Sequence, residues 1–164
     1  MRRINLIGDV NTDMVELLFN SLDDLEAESN APIEVFLCSG GGATNCALAI
    51  YGRIKRSKAP ITTVAFGEVQ SAAVLIYAAG HKRSAYKSTW FMVHEESGNT
   101  DVNSTTDMVK MARQWQREEN LFNALLAQET DKTELYWSEL SKATTFFLAD
   151  EAKKLHKLVQ IILE

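Results

Sequence analysis

Cysteine and proline are scarce in this chain, and each scarcity closes off a class of protein. Two cysteines, Cys38 and Cys46, among 164 residues make neither a disulfide framework nor a CxxC zinc site. Two prolines and eight glycines leave few places for linkers, and no repeat or low-complexity tract divides the sequence. Positive charge is short as well: 17 Lys and Arg stand against 22 Asp and Glu, a net charge of −5. That balance argues against a broad basic face for nucleic acid. No apolar run approaches the ~20 residues of a membrane helix. The opening Met1-Arg2-Arg3-Ile4-Asn5-Leu6 lacks the apolar stretch and cleavage site of a signal peptide. What is present is ordinary: 46% hydrophobic and 24% charged residues, enough for a core and too apolar for disorder. The expectation is one acidic, cytoplasmic α/β domain, with no metal or cofactor called for and no membrane or nucleic-acid partner.

Strand-like and helix-like runs alternate in the first half. Ile4-Asn5-Leu6-Ile7 reads as a short strand, and Met14, Leu17, Leu18, Leu22 and Leu25 recur at helical spacing behind a cap at Asn11 or Thr12. A buried-type strand over 33–38 hands over through Gly40-Gly41-Gly42 to a helix over 43–57. Pro60 introduces a strand over 61–66, and Gly67 a helix over 71–79. This alternation predicts βαβ units on a largely parallel sheet. Residues 84–93 read as one or two short strands, and a polar loop follows over 95–103. A long helix over 104–129 carries a stripe of Met108, Met111, Trp115, Leu121, Leu125 and Leu126. A short helix over 132–140, a helix over 148–155 and a terminal strand over 158–163 complete the reading.

Chemistry concentrates at three places. The glycine turn at Gly40-Gly41-Gly42 lets backbone N–H groups approach an anion or an oxyanion. It has no GK[ST] ending, so it is not a P-loop, and on its own it is a plain tight turn. Ser71 falls where a strand turns sharply into an apolar helix, the placement of a nucleophile elbow. Serine also favours that position as an ordinary N-cap. His94 ends an apolar strand, where an imidazole can be held against a hydroxyl. The other histidines, His81 and His156, sit among Lys and Arg and read as solvated.

The order of these signals carries more than any one of them. The turn Cys38-Ser39-Gly40-Gly41-Gly42, with Ala49-Ile50-Tyr51 in the next helix, is similar to an Asn-Ser-Pro-Gly-Gly turn followed by a helix bearing Ile-Tyr. The run from Gly67 to Gly80 follows the form Gly-x-Ala-Ala-Ser-x-Gly-Ala, and Met92-Val93-His94 stands for Met-Ile-His. Phe146-Phe147-Leu148-Ala149-Asp150-Glu151-Ala152 matches Phe-Met-Ser-Ala-Glu-Glu-Ala. Together they resemble the proteolytic subunit of Clp protease. The resemblance implies a Clp/crotonase-type β-α-β superhelix with a helical handle, the core being residues 1–94 and 141–164 and the handle 95–140. It also implies serine peptidase chemistry on peptides inside a self-assembled ring of seven subunits. Ser71 takes the place of the nucleophile and His94 that of the general base, with the N–H groups of Gly41 and Ala72 as the oxyanion hole.

Departures from the pattern set further expectations. Read back from Ala152, the triad aspartate position holds Thr144, and Ala143 stands where an arginine often serves ring–ring contact. Ala73 replaces a glycine and Gly40 a proline. Nothing before Ile4 corresponds to the family's axial segment, which meets the unfoldase ATPase. A weakened Ser–His pair is the expectation, and the same departures leave ring stacking and docking of the unfoldase ATPase open. A non-catalytic ring scaffold and a crotonase-type acyl-CoA enzyme are the alternatives. Paired Ser71 and His94 count against the latter, since a CoA hydratase needs no serine nucleophile.

Overall fold

The computed structural model describes residues 2–95 and 104–164. β1 (Arg3–Ile7) alternates exposed and buried side chains. α1 (Thr12–Glu28) follows, its N-cap being Asn11, whose side chain accepts from the Met14 N–H at 3.0 Å. β2 (Ile33–Ser39), α2 (Thr44–Lys55) and β3 (Ile61–Gln70) come next, and β1, β2 and β3 pair in parallel in that order. Parallel neighbours joined through a helix bury both faces of the sheet. Val35, Leu37, Ile50, Ile54 and Ile61 are accordingly sealed from solvent. α3 (Ala72–Ala78) is buried at every residue.

The sheet then forks. β4 (Lys82–Tyr86) pairs with β3 over residues 62–65, and β5 (Trp90–Val93) pairs with it over residues 68–70, both in parallel. Gly67 lies between the two stretches at φ +65°, and a Cβ there would come 3.0 Å from Cys38 Sγ. A glycine is what allows the strand to bend from one partner to the other. The sequence reading ended this strand at Phe66 because glycine reads as a break; the strand instead runs on to Gln70.

α4 (Thr105–Thr130), α5 (Glu134–Lys142), β6 (Thr145–Leu148), α6 (Ala149–Lys154) and β7 (Ile161–Leu163) complete the chain. β7 extends the main sheet beside β4, whereas β6 runs antiparallel to β5 on the branch. β6 was not anticipated, since four residues are too few to show an alternation. Most of the polar loop expected over 95–103 lies outside the described residues. The stripe on α4 divides along its length: Met108 is 55% exposed and Leu126 is fully buried. Arg83, itself buried, ties the inner end of α4 to the sheet, donating to the carbonyls of Glu129 and Leu158 at 2.7 Å each.

His156 corrects an expectation. It is 5% exposed, its Nδ1 lies 2.7 Å from the Tyr136 hydroxyl, and its ring centroid is 4.2 Å from that of Phe147. Lys153, Lys154 and Lys157 around it are exposed, and their charge hid a single inward position. Burial, with Lys132 adding to it, holds the imidazole below its ordinary pKa. His81 is exposed as expected, although its Nδ1 accepts the Ile61 N–H at 3.0 Å.

Candidate active site

β3 and β5 deliver Ser71 and His94 to one point. The ladder pairs Gln70 with Met92, and one residue on, the Ser71 N–H donates to the Met92 carbonyl at 2.8 Å. Two residues beyond Met92, the His94 Nε2 lies 2.8 Å from Ser71 Oγ. Backbone register therefore brings the hydroxyl and the imidazole within side-chain reach of each other. Ser71 has φ 52° and ψ −128° and forms no side-chain cap bond to α3. A non-glycine residue at positive φ is held there by its surroundings, at a cost of about 1–3 kcal/mol. The hydroxyl is thus turned away from the capping role that serine commonly plays and toward the imidazole.

The glycine turn closes over the same point. Gly41 has φ +105°, and a Cβ on it would lie 2.7 Å from Ser71 Cβ and 2.9 Å from the Gln70 carbonyl oxygen. Only glycine fits so close to this serine. The turn is clamped from β1's end: the Val10 N–H donates to the Gly41 carbonyl and the Ala43 N–H to the Val10 carbonyl, each at 2.8 Å. The Gly41 N–H itself donates to Ser39 Oγ at 3.1 Å. Ala72 opens α3, where a backbone N–H has no acceptor within the helix.

A small pocket of about 40 Å³ opens beside the pair. Thr44 and Phe122 contribute to its wall, with Val93 and Ala72 beneath. Glu95 and Glu119 line it too, and so does Ser141 near the end of α5, which is 2% exposed. None of these five outer residues was singled out from the sequence. Glu119 and Phe122 are three apart on α4 and so share a face, but periodicity could not say what that face overlooks.

Thr144 stands elsewhere. It is exposed, has φ +50°, donates its N–H to the Ser141 carbonyl at 3.0 Å, and does not line the pocket. This is the left-handed residue that commonly ends a helix. Among the described residues the His94 ring is hydrogen-bonded to Ser71 Oγ. Among the same residues, no group of three or more His, Cys, Asp and Glu side chains gathers as a metal site would need, and no helix is long and apolar enough to cross a membrane.

Comparison with known proteins gives a consistent result. The Clp protease family model matches residues 1–164. The ATP-dependent Clp protease proteolytic subunit 2 of Treponema pallidum is 31% identical over 160 residues, covering 90% of this chain and 79% of the relative. Proteolytic subunit 3 of Frankia casuarinae is 29% identical over 161 residues, covering 96% and 73%. The solved structure of a ClpP1 mutant from Listeria monocytogenes superposes with a TM-score of 0.91 at 28% identity, over 99% of this chain and 91% of that one. These relatives disfavour the acyl-CoA alternative. A fold shared with that structure almost from end to end is what holds Ser71 against His94, and this chain belongs to the Clp protease family as a Clp-like serine peptidase subunit.

Proposed function

We propose that Ser71 is the nucleophile of this peptidase and His94 its general base. The observation that carries the assignment is the 2.8 Å contact between Ser71 Oγ and His94 Nε2. Oγ attacks the peptide carbonyl carbon as its proton passes to Nε2; the imidazolium then protonates the leaving amine nitrogen, leaving an acyl-serine. Water, deprotonated by the same nitrogen, releases the acid and restores the hydroxyl. The N–H groups of Gly41 and Ala72 hold the oxyanion, and Gly41 must exchange its bond to Ser39 Oγ to do so. Removing one such donor costs roughly 10²–10³ in rate.

The triad is incomplete in this reading. With Nε2 accepting from Ser71, Nδ1 carries the ring proton and needs an acceptor. Burial and pocket position support Ser141 for that part over Thr144. A hydroxyl can fix the tautomer but brings no charge to stabilise the imidazolium, so short peptides are cut slowly. The subunits assemble into a ring of seven, and the exposed Met108, Val109 and Leu121 of α4 supply apolar surface for a second copy. Stacking of two rings is weak, because Ala143 offers no charge.

Intact mass after fluorophosphonate treatment tests the assignment: one adduct is expected, lost in Ser71→Ala and in His94→Ala. A folded wild-type chain that stays unlabelled hands the role to a non-catalytic ring subunit. An 18.3 kDa monomer in sedimentation at micromolar concentration overturns the assembly.

A further inference from the structure

The pocket beside Ser71 is small, and its walls are packed. Its volume is about 40 Å³. A single water needs roughly 10–15 Å³, and a cavity of about 150 Å³ takes benzene. The space therefore suits a methyl or hydroxymethyl group and is too small for an isobutyl or benzyl group. Phe122 of α4 lines it and packs against the hydrophobic core. Ala72, Val93 and Ser141 line it from three other elements, and all three are buried. The helix that carries Phe122 is itself held in place. Asn123 and Leu126 beside it are buried, and farther along α4 the Glu129 carbonyl accepts from Arg83 at 2.7 Å. A wall of this kind does not retreat freely, so a larger group forced against it displaces packed neighbours. Thr44 and Glu119, also in the lining, have interactions of their own, and selection falls to size.

We propose that this pocket receives the side chain on the acyl side of the scissile bond and selects a small one, alanine or serine, with Phe122 setting the limit. The acyl side is assigned because that residue's carbonyl carbon becomes bonded to Ser71 Oγ, which places its side chain beside Ala72 and the pocket. The inference rests on the peptidase reading above and supplies its substrate class. An alanine methyl fills the space and gains dispersion contact with Phe122 and Val93. A leucine or phenylalanine must push the wall aside before its carbonyl reaches Ser71, so the discrimination is mainly repulsive. Phe122 touches the substrate's side chain and takes no part in proton transfer.

The test uses the full chain in its native assembly and two matched sets of probes, peptidyl phosphonates and fluorogenic peptide amides, that differ only at the acyl-side residue. The phosphonates report the rate of attack by Ser71 even where turnover is slow. Alanine and serine probes are expected to exceed leucine and phenylalanine probes by roughly tenfold or more, in labelling rate and in kcat/KM. Phe122→Ala should raise the leucine rates by about the same factor while leaving the alanine rates nearly unchanged. A small fluorophosphonate without a peptide separates the two possible failures. Labelling of Ser71 by that reagent, with leucine probes as fast as alanine probes or faster, overturns this inference and leaves the peptidase standing. A folded chain that no reagent labels overturns the peptidase reading and this inference with it. A preference for alanine that survives in folded Phe122→Ala overturns the role of Phe122. Should Phe122→Ala fail to fold, Phe122→Leu, a smaller change within an apolar wall, must still narrow the alanine-to-leucine ratio, and an unchanged ratio there overturns the same role.

Discussion

The junction of β3 with β5 and the return from α5 into β6 both border the same pocket, but they are built differently. At the junction the two residues are placed by main-chain bonds: Gln70 pairs with Met92, and the Ser71 N–H donates to the Met92 carbonyl. On the return, position comes from side-chain packing: Trp137 is fully buried with its indole N–H on Thr130, and Tyr136 bonds to His156. Register fixed by backbone tolerates few residue changes at the functional atoms, whereas packing leaves the residue at a turn free to vary. Ser71 and His94 stand where the backbone dictates geometry, and Thr144 stands where packing does.

The largest effects should come from the junction. Ser71→Ala is expected to lower peptide turnover by about 10⁴-fold or more, measured as kcat/KM with thermal stability checked alongside. Turnover that survives would move the nucleophile elsewhere. Gly41→Ala comes next. Its new methyl would meet Ser71 Cβ at 2.7 Å on a backbone with φ +105°, so loss of turnover by roughly 10²–10³ is expected. A fully active variant would show that the glycine turn plays no part in holding the oxyanion.

Smaller effects should come from the return. Ser141→Asp, placing a carboxylate at the pocket wall, is expected to raise turnover by roughly tenfold, and Thr144→Asp to leave it unchanged. The reverse pattern would restore Thr144 as the group that orients His94. Thr144→Gly relieves a β-branched residue at φ +50° and should raise stability by about 1 kcal/mol, read from urea unfolding; a destabilised variant would mean that the threonine side chain holds the turn.

The smallest effect expected is a pH dependence of the return's packing. Folding holds the His156 imidazole below its ordinary pKa of 6.5. The unfolded chain therefore takes up a proton first as the pH falls past 6.5. The contribution of the neutral imidazole is complete above that value and declines until the folded value is reached. The melting temperature should show this step, and His156→Phe should remove it. A step that persists in His156→Phe belongs to another group.

Much of this arrangement was legible in the sequence. Gly67 to Gly80 and Met92-Val93-His94 mark out Ser71 and His94 because a strand-turn-helix and a strand end leave local patterns. The Ser71–His94 distance was not legible, since it depends on the pairing of two strands about twenty residues apart. Glu119 escaped notice because an acidic residue on a long amphipathic helix looks the same whether it faces water or a pocket. Counting back from Ala152 leads to Thr144, but counting cannot register that α5 runs to Lys142 and turns at Thr144 itself. The burial of His156 is hidden in the sequence because three neighbouring lysines outweigh one inward position in any local average.

The fork at Gly67 has a consequence for how the molecule fails. The main sheet holds five strands, while the branch rests on three paired positions between β3 and β5 and four between β5 and β6. Such a branch can open as a local cooperative unit without melting the rest. Ser71 and His94 both sit at its margin. Heat would then silence the peptidase by fraying the branch while the larger sheet stays folded, so inactivation and global unfolding would be separate events.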